Sequence, residues 1–317
     1  MINDKIPDIE HLVLAGAGHG IFSYFAAFKT LINNNIIDIK KIKSIYATSA
    51  GAVIGILLLL DIELDIIINY FVERPWNELF IFDSNVINII TNYGMWYNEI
   101  VIKTLKPLFS MCDISLDITM LEFYKKTNVE MYFYGTELKS FEEIEFSYKD
   151  TPNIKLIDAI YITSAIPILF KPMLYKNKYY IDGGLVNQYP IKNALKNVND
   201  SNTIFGIKSV GDCTYEEYEI IEQQKNDKNE ENSEDDEDDE DNEVDENQEN
   251  INTLNILDLL QYLILNPILK LIIPINSEIY NELNIRSCGK LSIDMIKFTI
   301  DSHENRLKLL EKGKKET

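Results

Sequence analysis

The sequence predicts an α/β fold, a mostly parallel sheet layered with helices, on three observations. Between His11 and about Gly211, short apolar runs of strand length alternate with stretches whose apolar residues recur at helical spacing. Two strand-to-helix junctions are tight and built of small residues, Gly16-Ala17-Gly18 and Ala47-Thr48-Ser49-Ala50-Gly51. Strand–helix–strand order within one sheet also favours parallel neighbours joined by right-handed crossovers.

Taken in order, His11 to Ala15 reads as the first strand, Gly16 to Gly20 as a turn and Phe22 to Ile32 as a helix. Ile42 to Ala47 is the next strand and Ala50 to Leu60 its following helix; the apolar run from Ala52 to Leu60 is too short to cross a bilayer. A helical stretch with Trp76 and Trp96 is expected to cover one face. Glu130 to Thr136 has the aromatic-rich composition of a strand. Leu156 to Ile162 reads as a helix, Tyr179 to Asp182 as a short strand end and Asn202 to Ser209 as a further strand. The run Leu254 to Ile275 is broken by Asp258, Gln261, Asn266, Pro267, Lys270 and Pro274, which suits an amphipathic or buried helix, not a membrane span. From Leu254 to Thr317 the chain reads as helical and apolar enough to pack on the sheet.

Charge is unevenly placed. The net charge is −21, but residues 227 to 249 hold 15 Asp or Glu against one Lys, which leaves the remainder near −7. That segment has too little apolar surface to offset its conformational entropy and reads as a disordered, solvated insertion. The expected organisation is a core at 9–211, an acidic insertion at 226–250 and a C-terminal helical part at 253–317 packing on the core. No basic patch invites nucleic acid. Cys112, Cys213 and Cys288 are too dispersed for a disulfide framework or zinc site, which fits a reducing compartment. The N-terminus lacks the basic and apolar regions of a secretory signal, so a cytoplasmic location is expected.

Three features carry chemistry. Ser49 lies between a strand and a helix among small residues, where a sharp turn would lift its hydroxyl clear of the sheet; the alternative is a plain N-cap serine. Gly16-Ala17-Gly18 ends the first strand before a helix, a turn whose N–H groups suit an anion, whether phosphate or the oxyanion of acyl transfer. The nucleotide reading is poor, because Ile21 stands where a third glycine belongs and no P-loop lysine follows. Asp182 precedes Gly183 and Gly184, placing it in an exposed turn after a short strand.

Glycine-rich loop, serine elbow and Asp-Gly-Gly, in that order, resemble the patatin-like phospholipase family over roughly residues 9 to 210. Ser164-Ala165-Ile166-Pro167, with Phe170 and Pro172, also resembles the family's segment before its Asp-Gly-Gly strand. The resemblance implies a three-layer α/β/α patatin-like fold and a serine acyl hydrolase of phospholipase A type. It implies Ser49 as nucleophile, Asp182 as its base and the Gly16, Ala17 and Gly18 backbone as oxyanion hole. No metal or organic cofactor is required; the substrate would be a phospholipid or other lipid ester, met by peripheral membrane contact. The family's loop usually has three glycines and a basic residue, where this chain has Ala17 and, nearby, His19. Ala47 likewise replaces the first glycine of the elbow. His19 could contact a lipid phosphate or cap the helix. Of the other histidines, His11 reads as structural, and His303 sits in a charged helix unsuited to a buried base. Trp76 to Phe82, or the later helix with Ile264, Ile268 and Leu269, could line an acyl channel or be plain core. The competing reading is a catalytically weak or inactive patatin-fold protein that binds lipid.

Overall fold

The structure, a computed structural model, describes residues 8–82, 86–209, 279–285 and 292–317. The acidic segment, Cys213, Cys288 and the run from Leu254 to Ile275 lie outside the described residues. The elements run β1 (His11–Leu14), α1 (Ile21–Asn33), β2 (Ser44–Ala47), α2 (Ala50–Leu57), α3 (Leu64–Glu73), α4 (Val86–Asn92), α5 (Glu99–Met111) and α6 (Met120–Thr127). They continue with β3 (Glu130–Glu137), β4 (Glu143–Ser147), α7 (Leu156–Thr163), β5 (Met173–Tyr175), β6 (Lys178–Asp182), α8 (Ile191–Asn197) and β7 (Ile204–Ser209). β8 (Asn281–Ile285), α9 (Ile293–Asp301) and α10 (His303–Lys315) follow.

Alternation along the strands builds the layers. Leu12, Leu14, Ile45, Ala47, Met131 and Phe133 face a large core shared with α1, α2, α3, α5 and α7. Val13, Tyr46, Tyr132 and Tyr134 face the other way, against Ile191 and Ala194 of α8. The sheet therefore lies between two helical layers, as the α/β reading expects.

The described strands form one eight-stranded sheet whose centre is parallel: β3, β2, β1, β7 and β8. Three antiparallel pairings finish one side, β3 with β4, β3 with β6 and β5 with β6. Register along β3 positions the site. β2 pairs with residues 130–133 of β3, and β4 takes the opposite edge over 132–136. β6 pairs with 135–137 while β4 is also paired there, so β6 must share β2's edge, beyond its end. Asp182 thus falls opposite Gly135, two residues past Phe133, the partner of Ala47.

The stretch after residue 254 is not helical throughout. Asn281 to Ile285 is a strand parallel to β7, tied by Lys208 to Glu282 at 2.6 Å and by the Tyr189 hydroxyl to Glu282 at 2.9 Å. Among the described residues, no helix is long and apolar enough to cross a membrane.

Candidate active site

Leu14 of β1 lies opposite Ala47 of β2, so the segments that follow them leave the sheet side by side at the carboxyl ends of its strands. Ligands of open α/β sheets bind at that end. The turn after β2 is sharp: Ser49 has φ 53° and ψ −126°, a conformation L-residues rarely adopt. Gly51 allows it, since a Cβ there would stand 2.5 Å from the Leu14 carbonyl oxygen and 2.7 Å from that of Ala15. Ala47 needs no glycine; it is the fully buried last residue of β2. Three segments hold the turn. Thr48 Oγ1 donates to the Asn187 carbonyl at 2.9 Å, the Ser49 N–H donates to Thr163 Oγ1 at 3.0 Å, and Thr163 Oγ1 donates to the Tyr134 carbonyl at 2.6 Å.

The Ser49 hydroxyl does not cap α2. It donates to Asp182 Oδ2 at 2.8 Å. Oδ1 of the same carboxylate accepts the Gly184 N–H at 2.6 Å, while Thr136 Oγ1 donates to the Asp182 carbonyl at 2.9 Å. The exposed turn expected at Asp182 is buried instead, with the residue 4% exposed. The cause is close packing, because a Cβ on Gly183 would overlap the Tyr134 carbonyl. Burial pushes the Asp182 carboxyl up to about 7, against the Gly184 N–H and the Ser49 hydroxyl, which favour the charged form.

The glycine-rich loop needs one correction. The Gly16 N–H donates to the Gln188 carbonyl at 2.9 Å and is not a free donor for an oxyanion. Ala17 has φ −134°, so alanine fits there without strain; Gly18, at φ 50°, is the residue that needs glycine. The N–H groups of Ala17 and Gly18 have no acceptor among the described residues, nor does that of Ala50, the first residue of α2. Sequence reading missed Ala50 as a donor and Thr163 as a brace for the elbow. Thr163 ends an apolar helix, and only its polarity there marks it.

Ser49, Ala50, Gly18 and His19 open onto a cavity of about 210 Å³, walled mainly by Phe71, Trp76, Phe80, Trp96, Leu169 and Phe170. Apolar protein cavities of about 150 Å³ stay dry and accept apolar molecules. Of the two stretches expected to line an acyl channel, Trp76 and Phe80 do so; Ile264, Ile268 and Leu269 lie outside the described residues. His19 is buried and lines the cavity. His11 Nδ1 lies 2.7 Å from Ser44 Oγ, and His303 pairs with Glu73 at 3.1 Å on the surface, so neither joins Ser49. No cluster of His, Cys, Asp or Glu among the described residues could hold a metal.

Residues 12–195 match the family described as patatin-like phospholipase. The chain belongs to that family. The patatin-like segment runs from β1 into α8 and contains the glycine-rich loop, the Ser49 elbow and Asp182. β7, β8, α9 and α10 lie beyond it. A probable lipid hydrolase, 463L, of Invertebrate iridescent virus 6 is 29% identical over 201 residues, 60% of this chain and 65% of that protein. The uncharacterized protein R571 of Acanthamoeba polyphaga mimivirus is 26% identical over 185 residues, 58% of this chain and 60% of that protein. The chain thus spans less than two thirds of either viral relative. Among solved structures, VipD from Legionella pneumophila aligns over 96% of this chain and 67% of its own, with 14% identity and a TM-score of 0.45.

Proposed function

We propose that this patatin-like chain is a lipid ester hydrolase of phospholipase A type, with Ser49 as nucleophile and Asp182 as base. The observation that carries the reading is the 2.8 Å hydrogen bond from Ser49 to a buried carboxylate at the edge of an apolar cavity. An ordinary carboxylate is a weak base at neutral pH. One raised to about 7 holds a proton more readily, yet is still free to take one near that pH.

In the first step Ser49 Oγ attacks the ester carbonyl as its proton passes to Asp182 Oδ2. The Ala17 and Gly18 N–H groups, with the N-terminus of α2 behind the serine, stabilise the oxyanion. The proton returns to the leaving alcohol, and water then attacks the acyl-enzyme with Asp182 again as base. The cavity takes the acyl chain, and His19, the imidazole in its lining beside Ser49, would meet the polar part of the lipid next to the ester.

Hydrolysis of a fluorogenic acyl ester and of phospholipid vesicles tests this. Ser49→Ala should reduce kcat/KM by roughly 10³-fold or more and abolish covalent labelling by a fluorophosphonate, while still melting in one cooperative transition. Turnover that persists in Ser49→Ala refutes the assignment. A wild-type protein that takes no label but binds lipid would favour the inactive, lipid-binding reading.

A further inference from the structure

The cavity has one wall that the patatin-like segment does not supply. α9 contributes Ile296, Thr299 and Ile300 to the lining, about a hundred residues after the family match ends. Thr299 spends its hydroxyl on the Met295 carbonyl at 2.7 Å, so this wall presents no unsatisfied hydroxyl there. Beside this wall lies a set of packed rings, Trp76 on Phe80, Phe80 on Trp96 and Trp96 on Phe170, and Ile293 and Ile296 of α9 pack in the same cluster as Phe80, Trp96 and Phe170.

α9 is also held from its C-terminal end. Asn305 Nδ2 donates to the Phe298 carbonyl at 2.7 Å. Arg306 Nη1 donates to the carbonyls of Thr299 and Ile300 at 3.2 and 3.1 Å. These are terminal carbonyls, without partners inside their own helix. The same guanidinium donates from Nε to the Val72 carbonyl at 2.7 Å, near the end of α3, whose Phe71 also lines the cavity. Arg306 is only 3% exposed, a costly place for a cation, and the negative ends of two helices converge on it. α10 in turn is pinned to α1. Ser23 Oγ donates to the Leu309 carbonyl at 3.2 Å, and Gly313 approaches the Ser23 backbone so closely that a Cβ would stand 2.5 Å from it.

We propose that α9 sets the length of acyl chain the cavity accepts, with Ile296 and Ile300 as specificity-determining residues and Arg306 as the positioning residue that fixes the wall. The proposal rests on the acyl-hydrolase reading for its substrate class. It is testable without turnover, because free fatty acids of graded length probe the same cavity.

Two series are measured on the full chain. One is kcat/KM for p-nitrophenyl esters from butanoyl to hexadecanoyl; the other is displacement of a fluorescent fatty acid by the matching free acids. In the wild type each added methylene should gain about fourfold until the cavity is full, then nothing. Ile300→Ala should move that break to longer chains. Ile296→Trp should move it to shorter ones, weakening the longest by about tenfold or more and the shortest hardly at all. Arg306→Met should blur the break and act on KM more than kcat, and Arg306→Lys should partly restore it. An unchanged break in the Ile296 and Ile300 variants, or a wild type that binds no acid, overturns the proposal. A break that moves in binding while no ester is hydrolysed supports the wall and refutes the catalytic reading alone. Ile296 and Ile300 carry the test if the Arg306 variants do not fold.

Discussion

Asp182 owes its raised pKa to its surroundings more than to any charged neighbour, and this has a measurable sign. In the proposed role of base it must lose its proton, so kcat/KM should climb with pH through a single ionisation near 7 and level off above it. Asp182→Asn should flatten that profile and lower activity by about 10³-fold or more. Stability should run the other way. The folded pKa of about 7 lies above the ordinary 3.8, so the native state holds this proton longer than the unfolded chain does. That contribution is complete below about pH 4 and is lost as pH rises through about 7, a change on the order of 4 kcal/mol at most. Urea unfolding of wild type and Asp182→Asn between pH 4 and 8 measures it; the variant should lack this component. Ser49 and Asp182 each stood out in the sequence only as small-residue turns; their pairing came from the resemblance to the patatin-like family, and the 2.8 Å hydrogen bond brings the two side chains together. Partial desolvation beside the Gly-Gly turn was expected of Asp182, but not its near-complete burial. Asp-Gly-Gly reads as an exposed turn, and only the distant Tyr134 carbonyl, against which Gly183 packs, reverses that.

The strand-to-helix loops are where sequence pattern and backbone geometry meet. At Gly18, alanine would have to adopt a positive φ, costing about 1–2 kcal/mol, so Gly18→Ala should disturb the loop. We expect kcat to fall by about 10–10²-fold with KM little changed, in steady-state ester hydrolysis. Ala17→Gly should alter kcat by less than about threefold, since Ala17 already has an unstrained backbone and its N–H survives either way. Strands β1, β2, β3, β6 and β7 were legible from their apolar content. β4 carries Glu143 and Glu145, and β5 has three residues, too few to show a period. β8, Asn-Glu-Leu-Asn-Ile, was misread as helix because its strand character comes from pairing beside β7, which no local propensity reports.

Over the whole molecule, the patatin-like match covers the loop, the elbow and Asp182, but the fold is completed from beyond it. α10 packs on α1 through Leu309 and Gly313, and β8 covers the edge of β7. A chain ending at Ser209 should bare that edge and the α1 surface. It should melt at least about 10 °C lower or aggregate, as thermal scans with light scattering would register. The elbow has a related consequence for stability. Alanine at residue 49 would inherit the φ of 53°, and glycine would inherit it without penalty. At pH 5, where Asp182 is protonated, Ser49→Gly should therefore be more stable than Ser49→Ala by about 1–3 kcal/mol, the reverse of glycine's usual rank. Both variants lack the hydroxyl, so urea denaturation of the pair isolates the backbone. At this position the backbone alone favours glycine, and the serine that stands there contributes a hydroxyl, held on Asp182, at the cost of that strain.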